Sequence, residues 1–128
     1  MRKILVVEDD KALRENICEI LDTSGYTPIP VENGQDALEK AAENLPDLIL
    51  SDIMMPKMDG YEFLQKFNEL YSYYNIPFIF LTAKSSPFDV HKATDAGVNA
   101  YLIKPFRIND LLYSIEYHLS KKDELKLH

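Results

Sequence analysis

Apolar residues fall into short runs separated by longer stretches in which they recur every three or four positions. Lys3 to Val7 is apolar and β-branched and stops at Glu8-Asp9-Asp10. Leu48-Ile49-Leu50-Ser51 leads straight into Asp52 and breaks soon after at Pro56. Phe78 to Leu81, opened by Pro77, ends at Thr82-Ala83-Lys84, and Ala100 to Ile103 runs into Lys104-Pro105. These runs need not alternate, because a parallel strand is covered on both faces. Thr27-Pro28-Ile29-Pro30-Val31 differs: its prolines donate no ladder hydrogen bonds, so as a strand it belongs at a sheet edge.

The stretches between the runs read as helices. Leu13, Ile17, Ile20 and Leu21 share one face, and the pattern closes at Ser24-Gly25. Cys18, between Ile17 and Ile20, reads as a small buried apolar residue of that helix. Asn33 can cap a second helix carrying Leu38, Ala41, Ala42 and Leu45. Asp59-Gly60 makes a turn before Phe63, Leu64, Phe67 and Leu70, and Tyr71 to Asn75 is a tyrosine-rich connection. Pro87 suits the first turn of a short fourth helix ending at Ala96-Gly97. Ile108, Leu111, Leu112, Ile115 and Leu119 mark a fifth, which leaves residues 1–119 as one domain and 120–128 as a polar tail or the start of a linker.

Strand and helix thus alternate five times with short connections, which predicts an α/β fold: a doubly wound, five-stranded parallel sheet with helices on both faces. The flavodoxin-like order 2-1-3-4-5 puts the proline-bearing strand at an edge and the reversal of winding between the first and third strands. Ligands in such sheets bind at the carboxyl ends beside that reversal, where this chain carries Glu8, Asp9 and Asp52.

Composition narrows the setting. A chain of 128 residues can bury an adequate core unaided, and its single cysteine excludes an internal disulfide. With neither a signal-peptide pattern nor a membrane-length apolar run, the expected setting is the cytoplasm, with no membrane partner. A net charge of -7 argues against direct nucleic-acid binding.

Three carboxylates converging at one sheet edge repel one another unless they are protonated or hold a cation. Magnesium suits hard oxygen ligands and is commonly held by one or two carboxylates plus a phosphate; manganese or calcium can take the same oxygens in vitro. Thr82 offers a hydroxyl to a phosphoryl oxygen, and Lys104 offers a point positive charge. With Asp52 as a ready-made nucleophile, the set can run phosphoryl transfer without a histidine base. Each member also has an ordinary reading. Asp52 can cap a helix or close a turn, Thr82 can be a turn residue, and Lys104 can be a solvated charge.

The segments Ile4 to Asp10, Asp52 to Gly60, Leu81-Thr82-Ala83, Asp95-Ala96-Gly97 and Tyr101 to Phe106, in this order and spacing, resemble the receiver domain of two-component response regulators, including the chemotaxis regulators. The match covers Lys3 to about Leu119. The resemblance implies a bacterial signalling domain rather than a free-standing enzyme, catalysing only its own phosphorylation and dephosphorylation. It implies Asp52 as phosphoacceptor, and Glu8, Asp9, Asp52 and the Met54 backbone carbonyl as magnesium ligands. Thr82, the Ala83 backbone and Lys104 would contact the phosphoryl group, and the Lys104-Pro105 bond would be cis. Asp10 would be a helix-start acid. The phosphoryl donor would be a histidine kinase or histidine phosphotransfer protein, and magnesium-dependent autodephosphorylation would reset the domain. On phosphorylation Thr82 would move toward the new oxygens and Tyr101 would turn inward. The output partner would then meet the face made by the fourth helix, fifth strand and fifth helix, where Phe88, His91, Tyr101 and Phe106 are candidate contacts.

Two departures from the pattern bear on output and lifetime. Val98-Asn99-Ala100 before Tyr101, and Tyr113 to Glu116 in the last helix, lack the charge pairs that join dimers of receivers attached to winged-helix domains, so a mostly monomeric unphosphorylated chain is expected. Met54 and Lys84, two residues beyond Asp52 and Thr82, flank the expected path of attacking water. An aspartate-nucleophile phosphohydrolase is a rival class, but it needs a second acid where Met54 stands. A phosphorylation-independent receiver-like interaction module is the other alternative.

Overall fold

In the computed structural model, which describes residues 1–126, five parallel strands form one sheet in the order β2-β1-β3-β4-β5. The strands are β1 (Lys3–Val7), β2 (Thr27–Val31), β3 (Leu48–Ser51), β4 (Phe78–Thr82) and β5 (Ala100–Ile103). The helices are α1 (Lys11–Thr23), α2 (Gly34–Glu43), α3 (Gly60–Tyr71), α4 (Pro87–Ala96) and α5 (Ile108–Lys126). The doubly wound fold and its strand order are those expected, with the proline-bearing β2 at one edge. Val7 pairs with Ser51 and Thr82 with Ile103, while Ser51 pairs with Phe80, so β4 and β5 run two residues past the carboxyl ends of β1 and β3.

Each central strand feeds both faces because its side chains alternate across the sheet. Leu5, Val7, Ile49, Phe78 and Phe80 pack against α2 and α3 through Ala37, Ala41, Phe63, Leu64 and Phe67. Ile4, Val6, Leu48, Leu50, Ile79 and Leu81 pack against α1 and α5 through Ile17, Leu21, Leu111, Ile115 and Leu119. Burial of each large side chain in these layers contributes roughly 1.5–3 kcal/mol before the entropy of ordering is counted. The two layers hold the rims of β1 and β3 rigidly, so the side chains just beyond them have fixed origins.

The helix starts follow local chemistry. Asp10, Asn33 and Asp59 cap α1, α2 and α3 by accepting from the backbone N–H of Leu13, Asp36 and Glu62. Ser86 and Asp89 form a capping box ahead of Pro87 on α4.

Four sequence expectations need correction. α2 stops at Glu43, so Leu45 packs on the core from the connection; Pro46 disfavours helical backbone at the residue before it. Leu70 is exposed, because Tyr71 rather than Leu70 continues the stripe of Phe63 and Phe67, 4.9 Å from the Phe67 ring. Cys18 is half-buried at the margin of its layer. α5 does not end near Leu119 but runs on to Lys126, with Arg2 paired to Asp123, Lys121 3.6 Å from Glu124, and Lys122 buried. These polar contacts, invisible to a search for an apolar stripe, extend the helix through residues read as tail; residues 127–128 lie outside the described residues. Among the described residues, no helix is long and apolar enough to cross a membrane.

Candidate phosphoacceptor site

β3 delivers Asp52 to the rim, and the backbone immediately fixes its carboxylate. Oδ1 accepts from the Ile53 N–H at 2.6 Å and the Met54 N–H at 3.3 Å. Oδ2 accepts from Lys104 Nζ at 2.7 Å, and the same ammonium reaches Glu8 Oε1 at 2.6 Å. The Lys104–Pro105 peptide is cis, and Lys104 is anchored by its N–H to the Thr82 carbonyl at 2.8 Å. One oxygen of Asp52 is therefore held by two amides, while the other faces a single side-chain cation.

β1 delivers the second acid. Glu8 is buried, its Oε2 accepts from the Asp10 N–H at 3.2 Å, and its backbone carbonyl accepts from Arg14 Nη1 at 2.7 Å. Asp9 is exposed, yet one carboxylate oxygen each from Glu8, Asp9 and Asp52 lie within 4.8 Å of one another. Hard oxygens from three acids, two of them buried, are the donor set that magnesium accepts, so the residues fit such an ion. Thr82 is buried at the end of β4, its hydroxyl accepting from the Lys84 N–H at 3.4 Å; the following Ala83 is exposed. Tyr101 is half-buried, with its ring on Phe80 and its hydroxyl donating to the Lys84 carbonyl at 2.6 Å.

The electrostatics match the geometry. Burial pushes the Glu8 carboxyl above its ordinary 4.5, helped by the nearby Asp52 charge and opposed by the bonds from Lys104 and Asp10. Burial works against the Lys104 ammonium, but its bonds to Asp52 and Glu8 outweigh that and hold its pKa above 10.5. Burial, with the Asp89, Tyr61 and Asp52 environment, pushes the Tyr101 phenol up to about 12, so it is a hydrogen-bond donor at any physiological pH.

In protein kept free of divalent ions with a chelator, burial of Glu8 makes stability depend on pH. Below about pH 4.5 Glu8 is protonated folded or unfolded and contributes nothing to the pH dependence. As pH rises through 4.5 the unfolded chain releases the proton first, so stability falls until the folded group ionises too. Glu8→Gln is thus expected to melt higher than the natural protein at pH 7, with the gain vanishing at pH 4; a gain that persists at pH 4 would contradict this origin.

The structure brings Glu8, Asp9, Asp52 and Lys104 together and sets Thr82 at the neighbouring strand end. It also shows two roles that no sequence motif announced. Arg14 holds the Glu8 carbonyl and lies 3.8 Å from Glu32, a contact between residues far apart in the chain. Gly60, read from the sequence as a turn residue, lies against the end of β3: an added Cβ would sit 2.5 Å from the Asp52 carbonyl oxygen and 2.8 Å from Ile53 Cα. Its N–H donates to the Ile53 carbonyl at 2.7 Å, closing the loop that starts α3.

Acids at the reversal of a doubly wound sheet, facing a lysine just beyond β5, define a class, and comparison with known proteins agrees. The model of the response regulator receiver domain matches residues 4–116, and the chain belongs to that family. The transcriptional regulatory protein PdtaR of Mycobacterium tuberculosis is 38% identical over 125 residues, covering 97% of this chain and 60% of that protein. The probable transcriptional regulator ycf29 of Pyropia yezoensis is 44% identical over 124 residues, 97% of this chain and 55% of that protein. The chain therefore spans a little over half the length of these relatives. Among solved structures, the receiver domain of a signal transduction histidine kinase from Syntrophus aciditrophicus matches with a TM-score of 0.86 at 34% identity, covering 94% of this chain and 92% of that one. The chemotaxis protein CheY4 of Vibrio cholerae matches with a TM-score of 0.85 at 32% identity, covering 91% and 98%.

Proposed function

We propose that this receiver domain is a phosphorylation-dependent switch that takes a phosphoryl group from a histidine kinase or a histidine phosphotransfer protein onto Asp52. The observation that carries the reading is Lys104 Nζ, which bridges Asp52 and Glu8 at 2.7 and 2.6 Å and so supplies a movable positive charge where phosphoryl oxygens would arrive. Asp52 Oδ2, which accepts from Lys104 while Oδ1 takes the two amides, would attack phosphorus. The O–P bond forms as the P–N bond to the donor histidine breaks, and the bond electrons leave with the imidazole. Lys104 then follows the new oxygens, and the Thr82 hydroxyl and Ala83 N–H complete their cradle.

Glu8, Asp9, Asp52 and the Met54 carbonyl would hold magnesium, which when bound would offset the charge of the acids and of the incoming phosphoryl oxygens. The Ile53 and Met54 amides keep the carboxylate from rotating, and burial of Glu8 and Thr82 limits water to the exposed side of the site. The acyl phosphate is lost when water attacks phosphorus and the P–O bond breaks, which returns the Asp52 carboxylate and inorganic phosphate. Met54 and Lys84 line the same cleft beside Asp9 and Ile53. Met54→Asn combined with Lys84→Glu is expected to shorten the lifetime of the phosphorylated form several-fold by opening the water path. An unchanged half-life, followed by intact mass, would count against the crowding role.

Output is proposed through the α4-β5-α5 face, where Phe88 and Ile103 are exposed and Tyr101 links β5 to the β4–α4 loop. The effect is a shift of population set by how differently the phosphoryl group interacts with the two states. The receiver is taken to run from residue 1 to about 119, with the polar turns of α5 beyond it leading toward any further segment. The domain is proposed to act in the cytoplasm, mostly monomeric when unphosphorylated and without contacting nucleic acid itself. The test is borohydride reduction after treatment with acetyl phosphate and magnesium, then peptide mapping. Homoserine at position 52 is expected; reduction at another acid, or at none, would contradict the assignment and favour the phosphorylation-independent interaction module.

A further inference from the structure

Beside the phosphoacceptor site lies an open cleft of about 780 Å³ between the start of α3 and α4, with Met54, Tyr61, Lys84 and Lys92 among its walls. Across it Lys92 Nζ from α4 sits 4.3 Å from the centre of the Tyr61 ring on α3. Tyr61 meets Phe80 of β4 edge to face at 5.1 Å, and Phe80 meets Tyr101 of β5 in the same manner at 6.5 Å. The Tyr101 hydroxyl donates to the carbonyl of Lys84, in the loop that leads back to α4. These contacts form a closed circuit from α4 through α3, β4 and β5 to the β4–α4 loop. That loop carries the backbone immediately following Thr82. Asp89, one turn earlier on α4, also faces Lys92 and Tyr61, but it is committed to capping its own helix through Ser86.

We propose that Lys92 and Tyr61 are positioning residues for the phosphoryl site: their cation–π contact draws α4 onto α3 and so holds the β4–α4 loop where Thr82 and Ala83 can meet phosphoryl oxygens. The proposal rests on the phosphoacceptor reading of Asp52. Lys92 and Tyr61 touch no reacting group, so their influence passes through the placement of the loop. A loop already held loses less freedom when it binds, and affinity for a phosphoryl mimic rises accordingly. Gly60 fixes the backbone next to Tyr61 against Asp52, so the ring has a rigid base from which to act.

The test uses trifluoroberyllate with magnesium as the phosphoryl mimic, titrated calorimetrically, with melting temperature measured alongside. Lys92→Met keeps the stem and removes the charge; Lys92→Arg keeps a cation. Tyr61→Leu removes the aromatic face, and Tyr61→Phe keeps it. Lys92→Met and Tyr61→Leu are each expected to weaken binding about two- to fivefold, the range of an exposed cation–π contact. The double variant should be no weaker than either single one, while Lys92→Arg and Tyr61→Phe should bind as the natural protein does. Natural affinity or tighter binding in Lys92→Met overturns the proposal, as does a melting-temperature change with no change in affinity. Lys92 is exposed, so Lys92→Met decides the matter even if Tyr61→Leu fails to fold. Failure of the natural protein to bind trifluoroberyllate would instead overturn the phosphoacceptor reading, and this proposal with it.

Discussion

Gly60→Ala is expected to destabilise the domain by about 3 kcal/mol and to slow phosphorylation by acetyl phosphate about a hundredfold. The methyl group would sit 2.5 Å from the Asp52 carbonyl oxygen, 2.8 Å from Ile53 Cα and 3.0 Å from the Phe80 ring. Two of these three neighbours are backbone, which no rotamer change can move aside. Either the end of β3 shifts or the start of α3 lifts away and stretches the 2.7 Å bond from the Gly60 N–H to the Ile53 carbonyl. Both responses displace Ile53, whose own N–H orients Asp52 Oδ1. Urea denaturation and a time course of intact mass measure the two effects. A variant of natural stability that phosphorylates at the natural rate would show that the loop has slack the packing denies.

Lys104→Met is expected to cost the metal-free protein about 2–3 kcal/mol, less than the cost of breaking a fully buried ion pair, because Glu8 can take up a proton. Among the described residues Lys104 is the one side chain bonded to both Glu8 Oε1 and Asp52 Oδ2, and its removal leaves two buried carboxylates facing each other. Magnesium should recover part of that loss, since an ion that binds only the folded state stabilises it by mass action. Phosphorylation should still fall about a hundredfold, the usual consequence of removing one preorganised positive contact to a developing anion. Thermal melts with and without magnesium, beside the rate, separate the two roles. A large loss of rate with no loss of stability would mean that the bridge seen here is not what holds the acids.

The fold was readable because its signals are local. Unbroken apolar runs such as Leu48 to Leu50 require cover on both sides, and the prolines of β2 leave an edge as the only acceptable place. The acids at the ends of β1 and β3 were readable because strand order alone makes them neighbours. Features set by distant contacts were not readable. α5 outruns its apolar pattern because Arg2, at the other end of the chain, meets Asp123, whereas Tyr71 continues the α3 stripe one turn after Phe67 through a local contact. The tight fit at Gly60, the approach of Arg14 to Glu32 and the Lys92–Tyr61 contact likewise join segments whose proximity only the fold creates. The place of Lys104 at the end of the fifth apolar run, before a proline, is visible in the sequence, but its bridging of two acids depends on the register of strands that are not sequence neighbours.

Intact-protein mass spectrometry after incubation with acetyl phosphate reads out whether Asp52 accepts a phosphoryl group in a magnesium-assisted site. The natural protein should gain the mass of one phosphoryl group with magnesium and none with a chelator, and Asp52→Asn should gain none in either condition. A gain that survives the chelator, or that Asp52→Asn retains, would contradict the account.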